Sequence, residues 1–158
     1  MNSIVQGTLI LLVTWLFFNG ASGFTFVNRS ATNLPQRIVM NTILAGSMGA
    51  ITVYLAKPTI MQKLSQPETY IIIDVCNGLL AGLVSITAPC NNVTHWSALI
   101  IGGVGAIIYI LSCALMNKYK IDDPVEASQI HGFCGCWGVL AVGFFDLDTG
   151  LVNSGDFR

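Results

Sequence analysis

The stretch Asp122-Asp123-Pro124-Val125-Glu126-Ala127-Ser128-Gln129-Ile130-His131-Gly132-Phe133-Cys134-Gly135-Cys136-Trp137-Gly138 opens a long apolar run and sets one histidine inside it. Asp123 has the chemistry of an N-cap, Pro124 suits the first helical position, and Glu126 is the returning acid of a capping box. Counted from that cap, His131 lies roughly 12 Å along a helix rising 1.5 Å per residue, near the middle of a hydrocarbon layer about 30 Å thick. A titratable ring at that depth is costly unless it meets a cavity or a partner, which marks His131 as a functional-site candidate. The alternative is a histidine satisfied by hydrogen bonds in an ordinary core.

Gly132, Gly135 and Gly138 recur at three-residue steps and present a smooth strip for a neighbouring helix, so His131 is expected inside a bundle. Cys134 and Cys136 bracket a glycine beside it. Residues two apart on a helix point about 200° apart, so the pair does not form a metal site, and no metal or other cofactor is expected.

The composition, 53% hydrophobic and 9% charged over 158 residues, falls far below the roughly 25% charged content of soluble domains and defines a membrane protein. The 16 glycines sit within apolar runs, as in tightly packed membrane helices. A net charge of −1 excludes nucleic acid as a partner, which calls for a clustered basic surface. The five cysteines are odd in number and mostly inside apolar runs, where cysteine acts as a small hydrophobe, so no disulfide framework is expected.

Five apolar stretches are read at about 7–27, 38–56, 70–89, 97–116 and 126–145, each close to the ~20 residues that span a bilayer as a helix. The first lacks a preceding basic cluster and a clean cleavage site, and is taken as a spanning helix and not a signal peptide. The expectation is an all-α membrane protein with one transmembrane domain, residues 1–145, and an exposed polar tail, 146–158. The loops expected between spans are Lys57-Pro58 to Glu68, Cys90 to Trp96, and Asn117 to Asp123. With the amino terminus inside, Lys57, Lys63, Lys118 and Lys120 fall on the inner side and Arg29, Arg37 and Arg158 outside, a small excess in the direction of the positive-inside rule. The same orientation places the triplets Asn28-Arg29-Ser30 and Asn92-Val93-Thr94, both possible glycosylation acceptors, outside.

Trp15, Phe18 and Ser22 fall at i, i+3 and i+7 on one face of the first helix. A hydroxyl above two aromatic rings can replace a water on a small cation and then offer π faces to its charge. The same pattern also describes an aromatic stripe facing core or lipid. Asp74, in the first turn of the third helix, gains from the helix N-terminal charge and reads as a capping or interhelical hydrogen-bond residue more readily than as a proton carrier. His95 beside Trp96 reads as an interfacial surface residue.

Asp74-Val75-Cys76-Asn77-Gly78-Leu79-Leu80-Ala81-Gly82-Leu83-Val84-Ser85-Ile86-Thr87-Ala88-Pro89-Cys90, the Asp122 to Gly138 stretch, and Trp15-Leu16-Phe17-Phe18-Asn19-Gly20-Ala21-Ser22 together resemble the ammonium transporter (Amt/Rh) family. With the helices between them these motifs cover nearly the whole chain. The resemblance implies an eleven-helix subunit of a homotrimer, built from two inverted five-helix repeats, each subunit with its own pore. This chain resembles the second repeat, half of that fold, with its amino-terminal end in the cytoplasm and the plasma membrane as its site.

By motif position His131 is implied to be the second of a twin-histidine pair, and Trp15 the pore-wall tryptophan beside it. Phe18 would be an outer-gate phenylalanine and Ser22 the hydroxyl of the outer recruitment site. Asp74, Asp122, Asp123, Gly132 and Gly135 are assigned to helix capping and packing. The implied activity is passage of ammonium, or its analogue methylammonium, as neutral ammonia. The first histidine, the second gate phenylalanine, the outer tryptophan and the eleventh helix are implied to lie in sequence beyond these residues. Phe17 departs from a usual family glycine, and Gly20-Ala21 from a usual Pro-Gly or Ala-Gly pair.

Two other classes compete with a carrier. One is a sensor of the same fold that binds ammonium and signals to a cytosolic partner. The other is an intramembrane enzyme in which His131 activates Cys134, at i+3, as a nucleophile.

Overall fold

The computed structural model describes residues 2–22, 34–65 and 71–152. The described residues form helices and turns: α1 (Asn2–Ser22), α2 (Leu34–Lys63), α3 (Ile71–Thr87), α4 (His95–Tyr119) and α5 (Cys134–Phe145). A π-helical segment, Ser128–Phe133, runs directly into α5. Four rods, Ser3–Ser22, Pro35–Lys63, His95–Tyr119 and Ser128–Phe145, are long and apolar enough to cross a membrane, and Ile71–Thr87 is a shorter apolar helix.

That shorter helix is the centre of the bundle. α3 touches every other element, whereas α1 approaches α2 and α3 but not α4 or α5 among the described residues. Residues 81–86 of α3 are buried without interruption, which requires a helix that is apolar or small all round. Lipid is as apolar as leucine, so close backbone approach holds membrane helices together. A methyl group at Gly78 would sit 2.6 Å from Val53 Cγ2 of α2, and one at Gly138 would sit 2.7 Å from the Ser85 carbonyl of α3. The side chains removed at these points let α2 and α5 close onto α3.

Several boundaries differ from the sequence reading. Lys57 and Pro58 are not loop residues: α2 continues to Lys63 with Pro58 inside it, and Lys57 is buried, its ammonium 2.7 Å from Asp74 Oδ1. A proline in a helix removes one backbone donor, which the surrounding packing of a long membrane helix tolerates. Lys57 is thus a core cation and does not count toward loop charge. His95 begins α4 and does not precede it. α4 starts at the N-cap Thr94, whose hydroxyl accepts from Ser97 N, and stops where Lys120 turns left-handed at φ 55°.

The fifth helix starts later than Asp123 and Pro124 suggest. Asp123 does cap, its carboxylate accepting from Ala127 N at 3.2 Å and Ser128 N at 2.8 Å, but Asp122 and Pro124 stay outside the helix. Glu126 does not return to the cap. It adopts a left-handed φ of 53° and turns its carboxylate into the bundle.

The tail is not loose at its start. Leu147 N donates to Asn92 O, Leu151 N to Gly143 O and Val152 N to Phe144 O, so residues 146–152 fold back over the end of α5. Residues 23–27 of the first apolar run, the triplet Asn28-Arg29-Ser30, Glu68 and residues 153–158 lie outside the described residues.

Candidate functional site

On α1 the indole N–H of Trp15 donates to Thr87 Oγ1 of α3 at 2.8 Å. This bond fixes the ring at the carboxyl-terminal end of α3, where its apolar body packs on a core cluster that includes Val84, Ile130 and Cys134. Phe18 meets Trp15 edge to face, centroids 6.3 Å apart at 67°, the arrangement that the ring quadrupoles favour. Thr14, Trp15 and Phe18 line an open depression of about 350 Å³. Phe18 is 59% exposed, and Ser22, also exposed, donates its hydroxyl to Phe18 O at 2.7 Å. That donation leaves the oxygen's lone pairs free, as an acceptor for a cation needs.

His131 is exposed on the π-helical segment and not enclosed by the chain's own bundle, contrary to the sequence reading. The glycine strip divides in the same way. Gly132 has open space where its side chain would be, Gly135 only an ordinary contact with Val84, and Gly138 alone of the three is tightly packed. His131 is exposed while Cys134, three residues on, is buried, so the two side chains do not share one environment. Cys134 is fully buried and its thiol lies toward the carbonyls of Gln129, at 3.3 Å, and Gly105, at 3.4 Å. Among the described residues no group of three or more potential ligands could hold a metal ion.

Sequence reasoning missed a buried polar chain near the Lys57 end of the bundle. Lys57 Nζ bonds Asp74 Oδ1 at 2.7 Å and Tyr109 Oη at 3.0 Å, and lies 4.7 Å from the Tyr109 ring centroid. The Tyr109 hydroxyl donates to Glu126 Oε2 in a short contact. Asn77 Nδ2 donates to the same oxygen at 2.7 Å, and the Cys113 thiol lies 3.6 Å from Oε1. Asp74 therefore bonds across helices, from α3 to Lys57 of α2. A lysine and a tyrosine set singly within apolar runs were the available signal.

The opposite end carries a second polar cluster. His95 Nδ1 lies 2.7 Å from Asn41 Oδ1, and Asn41 Nδ2 donates to the carbonyls of Cys90 and Val93. The Cys90 thiol is pushed up to about 11 by burial. Asn92 Nδ2 donates to Asp146 and Asp148, 2.9 Å each. The N–H of Thr149 and the Asn92 amide hold the Asp146 carboxyl below its usual range, and the N–H of Ser128 does the same for Asp123.

Apolar helices of spanning length around a central helix buried along residues 81–86, with His131 and Phe18 on faces the chain leaves uncovered, define a polytopic membrane protein. The sequence profile of the Ammonium Transporter Family matches residues 1–156, and the chain belongs to that family. It is 39% identical over 153 residues to ammonium transporter 1 member 1 of Solanum lycopersicum, covering 90% of this chain and 30% of that protein. To ammonium transporter 1 member 1 of Oryza sativa it is 38% identical over 150 residues, covering 90% and 29%. Its fold is similar to the crystal structure of Saccharomyces cerevisiae Mep2, with a TM-score of 0.77, 33% identity, and coverage of 93% of this chain and 31% of that one. Candida albicans Mep2 gives a TM-score of 0.78 at 30% identity, with coverage of 93% and 30%. The chain thus spans about a third of the length of the relatives it matches. The family is one of transporters, and the intramembrane enzyme reading falls with it.

Proposed function

We propose that this chain forms one wall of a pore that conducts ammonium as ammonia across a membrane, as part of a longer transporter. The observation that carries the reading is the likeness to transporters along nine-tenths of the chain, joined to the exposure of His131 and Phe18 on faces that the bundle does not fill. A bare cation in a low-dielectric pore is expensive and neutral ammonia is cheap. Ser22 and the aromatic rings of Phe18 and Trp15 attract the ion at the outer mouth and take the place of its water. Ammonium then gives up its proton, ammonia crosses, and His131 handles the proton from the pore wall together with a second histidine outside this sequence.

In this reading three copies of the full-length protein assemble as a homotrimer in the plasma membrane, with the amino-terminal end of this chain in the cytoplasm. The test is uptake of labelled methylammonium in a transporter-deficient cell expressing the full-length protein. His131→Ala should abolish uptake at unchanged surface abundance, and normal uptake by that variant would remove the histidine from the mechanism.

A further inference from the structure

The buried chain Lys57–Tyr109–Glu126 ends on the residue that launches the helix bearing His131. The Glu126 carboxylate meets Tyr109 and Cys113, more than one turn before α4 ends at Tyr119, so the residue reaches back into the bundle from that end. It is held there by backbone and side chain together. Its N–H donates to Asp123 O and its carbonyl accepts from Ile130 N, 3.0 Å each. Its φ of 53° belongs to a region that a side-chain-bearing residue rarely adopts unless its surroundings over-determine it.

What over-determines it is the network. Tyr109, 0% exposed, is fixed by Lys57 on its oxygen and over its ring, and Lys57 is itself fixed by Asp74. One ammonium faces two carboxylates, so the Glu126 charge is balanced by donors, Tyr109, Asn77 and Cys113, and not by a cation of its own. The π-helical segment begins two residues later at Ser128 and contains His131.

We infer that Glu126, gripped by Tyr109 and Asn77 and anchored through Lys57 and Asp74, is a positioning residue that sets the register and depth of His131 on the pore wall. The inference rests on the transport reading. The grip depends on one oxygen of the Glu126 carboxylate accepting from both Tyr109 and Asn77. Lys57 on α2, Asp74 and Asn77 on α3, and Tyr109 and Cys113 on α4 are the groups that face it.

The experiment uses the full-length protein and two readouts: methylammonium uptake against substrate concentration in a transporter-deficient cell, and amide hydrogen exchange of residues 126–133 in purified protein. Tyr109→Phe removes one oxygen and keeps the ring. It should lower maximal uptake about tenfold, the scale of one lost hydrogen bond to a charged group, with KM within about twofold. It should also speed exchange of the segment. Glu126→Gln, which keeps length and an acceptor oxygen, should retain more of the maximal uptake than Glu126→Ala.

If the wild type takes up methylammonium and Tyr109→Phe matches it in maximal rate and exchange, the positioning role is overturned and the transport reading stands. If the wild type does not take it up, the transport reading fails, and faster exchange in Tyr109→Phe still reports whether the network holds the segment. Should Tyr109→Phe not reach the membrane, Asn77→Ser removes the other donor and is read against the same outcomes.

Discussion

Lys57 of α2 and Asp74 of α3 form an ion pair of 2.7 Å in which the lysine side chain is 1% exposed and the aspartate side chain 11%. Breaking such a pair strands a charge in the core, typically at 3–5 kcal/mol, whereas replacing both partners with apolar residues of similar volume is often tolerated. Lys57→Met and Asp74→Leu singly should each lower the thermal midpoint of the purified protein strongly. The double replacement should recover most of the loss. A double variant as unstable as the sum of the singles would show that each residue acts independently of the other.

His131 and His95 should respond oppositely to alanine. The His131 ring is exposed on the π-helical segment, and its loss should reduce uptake by about a hundredfold or more, the usual scale for a group that handles a proton. His95 holds Asn41 at 2.7 Å, so His95→Ala should cost about 1 kcal/mol of stability and leave flux per transporter unchanged. Normal transport by His131→Ala beside failure of His95→Ala would place the site on α4 and not on the segment before α5.

The Trp15–Thr87 bond predicts a matched pair of variants. Trp15→Phe and Thr87→Val each remove one partner of the 2.8 Å contact and should alter methylammonium flux alike, with the double variant no worse than either single. Phe18→Ala opens the outer side of the same face and should raise leak of larger cations. Unchanged selectivity and rate in all four variants, at equal surface abundance, would leave the stripe a packing feature.

Asn92 should not carry a glycan, although Asn92-Val93-Thr94 fits the acceptor pattern. Its amide nitrogen is committed to Asp146 and Asp148, and Thr94 is committed as the cap of α4. Treatment with a glycosidase should therefore produce no mobility shift attributable to this site, and a shift lost in Asn92→Gln would contradict the assignment.

The turn after α5 should loosen in acid. Asp146 is lowered by Thr149 N–H and the Asn92 amide, so its contribution is complete above the ordinary carboxylate range, near pH 4, and is lost as pH falls through its lowered folded value. Protection of the amides of residues 146–152, taken relative to their intrinsic exchange rates, should fall below that range in the wild type, and Asp146→Asn should show the loss already at neutral pH. Protection independent of pH in the wild type would remove the carboxylate from the turn.

Composition and periodicity determined a great deal here. A chain this apolar has to satisfy its backbone inside helices, and long uncharged runs made the spans visible before any coordinates. Motif order carried the family. The placement of Lys57 was not legible, because a lysine next to a proline reads as a loop unless its buried partner, seventeen residues along, is known. Glu126 was misread for the same reason. Its spacing from Asp123 fits a capping box, and local pattern cannot weigh that bond against the hydroxyl of Tyr109 and the amide of Asn77 arriving from two other helices. The exposure of His131 ran against the sequence reading, which set it inside the bundle. Periodicity says that a face exists, but only packing assigns it to this bundle or leaves it open, and here the tight contact at Gly138 fixes α5 on α3 while the turn that bears His131 faces away.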